Sequence, residues 1–486
     1  MTNTGKTPTP EQAEILKAAP EEKDLVIEAG AGTGKTTTLK MLAAAMPGRR
    51  GLYVAYNKSI ADDARKSFPG SVHCSTAHSL AYRSVGRDYR HRLNGPRIPA
   101  RETAEILGIG EPLGLGERIL APAQVARLAM ETVSRFCRSA DPELNGNHVP
   151  RKPGLDSPED MADLRQVLVP LARKAWADLV STGGRLRFEH DCYLKIWQLA
   201  GPKLPVGYIL LDEAQDANPV ILDVVTGQEG AQLIAVGDRS QAIYGWRGAV
   251  DAMDRFPGAR HLALSQSFRF GPAVADEANK WLAILRARLR LTGFEHVASA
   301  VAPVKFPDAV LCRTNGEAIS QAMRATGAGK KTAVVGGGSE IRRLAQAAVT
   351  LKAGTGTDHP ELMAFRTWGE VQDYAENDPA GADLKVLVDL IDRHGAGVII
   401  DVIDDLVPES RAQVIVSTAH KAKGREWDTV RIAGDFREPR PAADGSPGTV
   451  GREEAMLAYV AITRARLTLD RDGLAWVDRY VPAFGA

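Results

Sequence analysis

The sequence predicts an α/β protein with two parallel sheets, each interrupted by a mainly helical insertion. Two observations carry that prediction. Short apolar runs recur with helical segments between them, the pattern of parallel strands covered on both faces. These runs fall into two series, and within each series a long stretch carries no strand signal. A chain of 486 residues also exceeds what one core usually fills. Its 44% hydrophobic and 25% charged residues are near the average for soluble globular proteins.

The first series comprises strands at 24–28, 51–56, 208–212 and 232–236. The β-branched run at 24–28 leads directly into Ala29-Gly-Ala-Gly-Thr-Gly-Lys-Thr36 and then a helix-forming stretch to residue 46. Strand, glycine loop and helix are the setting a phosphate loop requires. From 78 to 188 the strand signal disappears and helices broken by Pro and Gly take over. The second series lies at 309–312, 332–335, 413–416, 429–433 and 467–469, and is interrupted by a helical, acidic stretch at 338–411. No internal repeat and no long low-complexity tract is evident. The Pro/Gly-rich stretch 437–451 reads as a loop.

Composition sets limits. No apolar run approaches the ~20 residues of a membrane span, and the first residues lack the apolar core of a signal peptide. Cys74, Cys137, Cys192 and Cys312 are far apart and have no metal-ligand spacing, so they read as free thiols in a reducing compartment. The formal net charge of +1, from 61 Lys+Arg against 60 Asp+Glu, gives no global basic excess of the kind that marks many nucleic-acid binders. That total is an average over unequal parts. Arginines cluster at Arg83, Arg87, Arg90, Arg92 and Arg97 and again at Arg286, Arg288 and Arg290, while 370–409 is acidic. Each arginine group reads equally well as a DNA grip or as a solvated face.

The glycine loop carries the strongest chemistry. Gly30, Gly32 and Gly34 let backbone N–H groups converge on phosphate oxygens; Lys35 neutralises phosphate charge and the Thr36 hydroxyl ligates Mg²⁺. Ala29, Ala31 and Thr33 complete the loop. A glycine-rich turn alone would be bland, but here its strand and helix accompany it. At the end of the run 208–212, Asp212 and Glu213 form a carboxylate pair, one able to hold Mg²⁺ and the other to orient or deprotonate water. By itself the pair is a common strand-end feature. Together with the loop it points to an ATPase using ATP and Mg²⁺.

Further motifs follow in order. Val236-Gly-Asp-Arg-Ser-Gln241 places a polar sensor at a strand end, ahead of Tyr244, Trp246 and Arg247. Next come Leu264-Ser-Gln-Ser-Phe-Arg269, then Ser417-Thr-Ala-His-Lys-Ala-Lys-Gly-Arg-Glu426, then Tyr459-Val-Ala-Ile-Thr-Arg464. In these residues the sequence resembles superfamily 1 DNA helicases of the UvrD/Rep group over nearly its whole length. With Leu52-Tyr-Val-Ala-Tyr-Asn-Lys58 and Ser75-Thr-Ala-His78 it is similar to the helicase core of F-box-containing DNA helicases.

The resemblance implies two RecA-like motor domains, at 1–82 with 188–272 and at 273–338 with 411–486. It implies helical insertions at 83–187 and 339–410. It further implies that Gln12 bonds the adenine edge, Phe268 stacks on its face, and Gln241 senses the γ-phosphate. Arg269 and Arg464 act as arginine fingers from opposite sides of a cleft, and Gly424 and Glu426 line the nucleotide and DNA side. Many relatives carry Arg where this chain has Thr37, so nucleotide preference is expected to be relaxed. Asn57, Lys58, Thr76, His78, Tyr244, Trp246, Arg247, Thr418 and His420 are the implied DNA contacts, with Trp246 stacking on single-stranded bases.

The implied function is an ATP-dependent helicase or translocase moving 3′→5′ on single-stranded DNA, acting on junctions or tailed duplexes in repair, recombination or replication. ATP binding between the cores would close them. The alternatives are a translocase that mainly displaces bound proteins and a nucleotide-dependent binding switch without motor activity. The chain is expected to be cytoplasmic, of bacterial or phage origin, with no segment left for an F-box or a nuclease domain.

Overall fold

A computed structural model describes residues 7–21, 23–93, 98, 100–115, 118–152, 155, 157–243, 252–363, 365–377, 382–441 and 447–481. The chain divides into two units, one of 1–28 and 35–264, the other of 29–34 and 265–486. Besides 29–34, the second unit takes in Phe268 and Arg269, which the sequence assigned to the first motor domain.

In the first unit the strands are β1 (Leu25–Ala29), β2 (Gly51–Val54), β3 (Val72–Ser75), a short pair β4 (Leu113–Leu115) and β5 (Arg118–Leu120), then β6 (Tyr208–Leu211), β7 (Gln232–Gly237) and β8 (Arg260–Leu264). The main sheet has the order β3-β2-β6-β7-β1-β8. Leu25 pairs with Ile234, Tyr53 with Leu210, and Ile209 with Leu233, all in parallel register. Strands β2, β6 and β7 are buried along their whole length, as runs covered on both faces must be. The insertion is mainly helical, built on Pro122–Cys137 and Pro158–Val180, and its apolar faces join the core of the sheet. The hairpin β4–β5 inside it was not expected.

The second unit contains β9 (Ala300–Val301), β10 (Ala309–Cys312), β11 (Thr332–Val334), β12 (Val414–Thr418), β13 (Trp427–Ile432) and β14 (Ala465–Asp470). They form a parallel sheet in the order β11-β12-β10-β13-β14-β9. Its insertion is four helices, Ser339–Lys352, Trp368–Asn377, Ala382–His394 and Ala396–Asp404. They bury their own cluster, including Leu344, Leu351, Trp368 and Ile391. No described helix is long and apolar enough to cross a membrane.

Strands β3, β8 and β9 were absent from the sequence reading. Each is short, and at the sheet edges β3 (Val-His-Cys-Ser) alternates apolar with polar residues while β8 (Arg-His-Leu-Ala-Leu) begins with two polar ones. They lack the continuous apolar run that betrays a central strand.

Candidate ATP and DNA site

In the first unit, Lys35 opens the helix Lys35–Ala45. Its Nζ lies 3.6 Å from Glu213 Oε1. Asp212 follows β6 and is buried; its Oδ1 accepts from the Glu213 N–H (2.9 Å) and its Oδ2 from the Tyr53 hydroxyl (2.6 Å). Burial, then the neighbouring Glu213 charge, pushes the Asp212 carboxyl up to about 6, against the opposing pull of the Tyr53 hydrogen bond and of Lys35. Glu213 itself has φ 51°, a left-handed backbone that a non-glycine residue adopts at a cost and that concentrates at functional sites.

A continuous hydrogen-bonded chain runs on from Glu213. Gln215 Nε2 donates to Glu213 Oε2 (2.7 Å), and Gln215 Oε1 accepts from the Asp238 N–H (3.0 Å). Asp238 Oδ2 then accepts from Gln241 Nε2 (2.7 Å). The phosphate-loop lysine, the strand-end carboxylates and the expected sensor glutamine thus form one network, with Gln215 1% exposed at its centre. Tyr53, Gln215 and Asp238 were not singled out from the sequence. Their signal lay inside quoted motifs, where only the pairing across β2, β6 and β7 gives it meaning.

Gln12 is 4% exposed. Its Nε2 donates to Thr38 Oγ1 (3.0 Å) and its Oε1 accepts from the Thr9 N–H (3.0 Å), closing a capping box at the start of the helix Pro10–Ala18. Both polar ends of the Gln12 amide, expected at an adenine edge, thus have partners within the first unit.

In the second unit, the loop 29–34 packs against 267–269 and 289–291. A Cβ on Gly32 would meet Ser267 Oγ at 2.5 Å and Arg269 Cβ at 2.6 Å, and its φ is +74°; a Cβ on Gly30 would meet Leu291 Cδ2 at 2.3 Å. Only glycine fits there. The Ala31 N–H points to the Tyr459 hydroxyl (3.3 Å). Phe268 is 41% exposed and meets Phe294 edge-on, leaving ring surface open. Arg269 Nε bonds Glu426 Oε2 (2.6 Å) and its Nη1 donates to the Thr463 carbonyl (3.0 Å). The buried Arg464 donates to the Val460 carbonyl (2.8 Å) and to Thr463 Oγ1 (2.9 Å). Arg269 and Arg464 therefore belong to one unit, with Arg269 bonded to the residue preceding Arg464.

The expected DNA contacts share a local design. Asn57, Thr76 and Thr418 are each the N-cap of a short helix, accepting from the N–H of Ile60, Ser79 and Lys421. Ser75-Thr-Ala-His78 follows β3 and Ser417-Thr-Ala-His420 ends β12, so the same tetrad recurs where a strand turns into a helix. Lys58 is exposed. Tyr244, Trp246 and Arg247 lie outside the described residues. Of the arginine cluster, Arg92 is no DNA grip. It is 8% exposed and donates to the carbonyls of Leu179, Ser181 and Leu186 near the end of the helix Pro158–Val180. Arg290 turns back onto the carbonyls of Ala287 and Leu289. Arg97 lies outside the described residues.

Within the first unit, the buried Asp212 carboxylate and the Thr36 hydroxyl are oxygen donors of the kind suited to Mg²⁺, a hard ion that takes few protein ligands beside phosphates. Among the described residues no cluster of three or more His, Cys, Asp or Glu offers a different metal centre.

Two sequence families match the chain: an AAA domain over residues 12–247 and a UvrD-like helicase C-terminal domain over 400–470. F-box DNA helicase protein 1 of Schizosaccharomyces pombe is 30% identical over 92% of this chain and 55% of its own length.

The chain carries a UvrD-like helicase C-terminal domain.

F-box DNA helicase 1 of Gallus gallus is likewise 30% identical, over 95% of this chain and 48% of its own. The ATP-dependent DNA helicase UvrD2 of Mycobacterium bovis is 27% identical over 55% of this chain and 47% of its own. This UvrD-like chain spans about half the length of the relatives it matches. The two matched over most of it are eukaryotic, which lends nothing to the expected bacterial or phage origin.

Proposed function

We propose that this protein is an ATP-driven DNA helicase or translocase moving 3′→5′ on single-stranded DNA, with a role in repair, recombination or replication. The observation that supports it most is the unbroken network Lys35–Glu213–Gln215–Asp238–Gln241. It joins a phosphate-binding lysine to a carboxylate base and a polar sensor that precedes the Tyr244–Trp246 segment.

In this reading Mg²⁺, held by Asp212 and Thr36, supplies charge neutralisation to the phosphates. Lys35 leaves Glu213 for the phosphate chain, and the freed Glu213 carboxylate orients water and accepts its proton. Gln215 carries the change in Glu213 to Asp238 and Gln241. Arg269 and Arg464 supply positive charge to the transferring phosphoryl group. The cap residues Asn57, Thr76 and Thr418 present helix N-termini to DNA phosphates. The protein acts in the cytoplasm.

The test is an unwinding assay on 3′-tailed and 5′-tailed duplexes, with ATPase measured with and without single-stranded DNA. Single strands are expected to stimulate ATPase, and only the 3′-tailed duplex to open. Glu213→Gln should bind ATP yet lose hydrolysis by at least about 100-fold. ATPase indifferent to DNA would overturn the motor reading. A second reading, displacement of bound proteins without strand separation, is favoured by the acidic second insertion. There Asp392 is held by Trp368, Gln372 and Lys352, and the acidic sequence of 370–409 disfavours a grip on duplex phosphates. Displacement without unwinding would select it.

A further inference from the structure

The helix His190–Leu199 lies outside every motif used above, yet side chains of its first two turns tie it to its surroundings within the first unit. Asp191 is the centre. Its Oδ1 lies 3.3 Å from His78 Nε2 and its Oδ2 accepts from Arg138 Nε at 2.9 Å. Burial alone would raise the Asp191 carboxyl; the hydrogen bonds from His78 and Arg138 outweigh it and hold the carboxyl below its usual range. It is therefore a charged acceptor fixed between two donors.

Neighbouring residues make the arrangement rigid. The ring of Tyr193 meets His78 edge-on, with centroids 6.2 Å apart. Cys192 and Cys137, each adjacent to a member of the bridge, are buried. Lys195 is 0% exposed and donates to the carbonyls of Ser139 (2.9 Å) and Asp141 (2.6 Å), clamping the segment that carries Arg138. His78 itself remains 39% exposed.

We propose that Asp191, braced by Arg138, is a positioning residue for His78. It takes the Nε2 edge of the imidazole and so fixes which edge, Nδ1, faces a DNA strand. This rests on the motor reading, in which His78 is a DNA contact. It goes beyond that reading in making the helical insertion, through Arg138 at the end of Pro122–Cys137, a determinant of how His78 is presented.

The test is a double-mutant cycle between Asp191 and His78, read as the oligo-dT concentration giving half-maximal ATPase stimulation and, separately, as kcat at saturating oligo-dT. Removing a hydrogen bond to a charged group is expected to raise the half-saturating concentration about tenfold in Asp191→Ala, with kcat within about twofold. In a His78→Ala background, Asp191→Ala should add nothing, because contacts that act through one group are not additive. Arg138→Ala, at a side chain 45% exposed, is the milder variant and should give a smaller shift in the same direction, should Asp191→Ala not fold. Equal factors for Asp191→Ala in both backgrounds, or no shift in either single variant, overturn the inference. If wild-type ATPase ignores oligo-dT, the motor reading falls and this inference with it. If wild type responds and the cycle is additive, only the inference falls.

Discussion

Replacing Tyr53 by Phe removes one hydroxyl and little else. That hydroxyl donates to Asp212 Oδ2 at 2.6 Å from a ring that is fully buried and packed 4.7 Å from Phe68. The Asp212 carboxyl already sits at about 6 because burial and the Glu213 charge disfavour its ionised form. A hydrogen bond to a charged acceptor contributes about 1.5–3 kcal/mol, and its loss moves the carboxyl up by about one to two further units at 1.36 kcal/mol each. At about pH 7 the ionised fraction then falls from about nine-tenths to between about one-half and one-tenth. Only the ionised form binds Mg²⁺ well, so Mg²⁺ demand rises about two- to tenfold at that pH. At about pH 9 the carboxylate is ionised in both proteins and the deficit closes. The assay is DNA-stimulated ATPase titrated with Mg²⁺ at both pH values. A deficit of equal size at both would refute the carboxylate explanation and point to disturbed packing of β2.

Three further outcomes follow from the same geometry. Asp212→Asn should abolish hydrolysis yet stabilise the metal-free protein. The folded carboxyl is raised to about 6 from 3.8, so the aspartate's contribution to stability is complete below the unfolded value and is lost as pH rises through about 6. Urea melts in a chelator should show Asn ahead by about 1–3 kcal/mol near neutrality and level with Asp near pH ~4; no gap at neutrality would remove the buried-charge account. Gly32→Ala places a Cβ 2.5 Å from Ser267 Oγ at φ +74°, so stability should fall by about 1–3 kcal/mol and ATP binding should be lost, as read by melting and a nucleotide titration. Arg92→Ala should cost at least about 2 kcal/mol by leaving buried carbonyls unpaired, while DNA affinity of the folded fraction stays unchanged. A selective loss of DNA binding would restore it as a grip.

How much could be read beforehand depended on the range of the interactions. Central strands such as 309–312 were legible because both faces are buried and the sequence is continuously apolar. The edge strands β3 and β8 were not, since polar residues interrupt their apolar runs and only pairing with β2 and β1 defines them. Lys35, Asp212 and Glu213 were legible because the chemistry demands those residue types at a strand end. Tyr53, Gln215 and Asp238 were hidden because their roles are set by neighbours across the sheet, not along the chain. Arg92 misled for the same reason. Its charge suggested a partner in solution, but its partners are carbonyls at the end of a helix some ninety residues on.

The caps carry this one step further. Asn57, Thr76 and Thr418 were selected as side chains that touch DNA, yet each spends its oxygen on a helix N–H. What such a cap leaves pointing outward is the remaining N–H groups of the first turn, which attract phosphate and read no base. The Ser-Thr-Ala-His tetrad occurs once in each unit, with its Thr as a helix cap both times. A near-neutral chain with a net charge of +1 does not need a wide basic surface if its hold on DNA is made of a few oriented amides and two histidines. Such a hold also implies a shallow salt dependence, because few counterions are displaced per contact made. A steep loss of DNA-stimulated ATPase with added salt would mean that lysines and arginines, and not the caps, bear the strand.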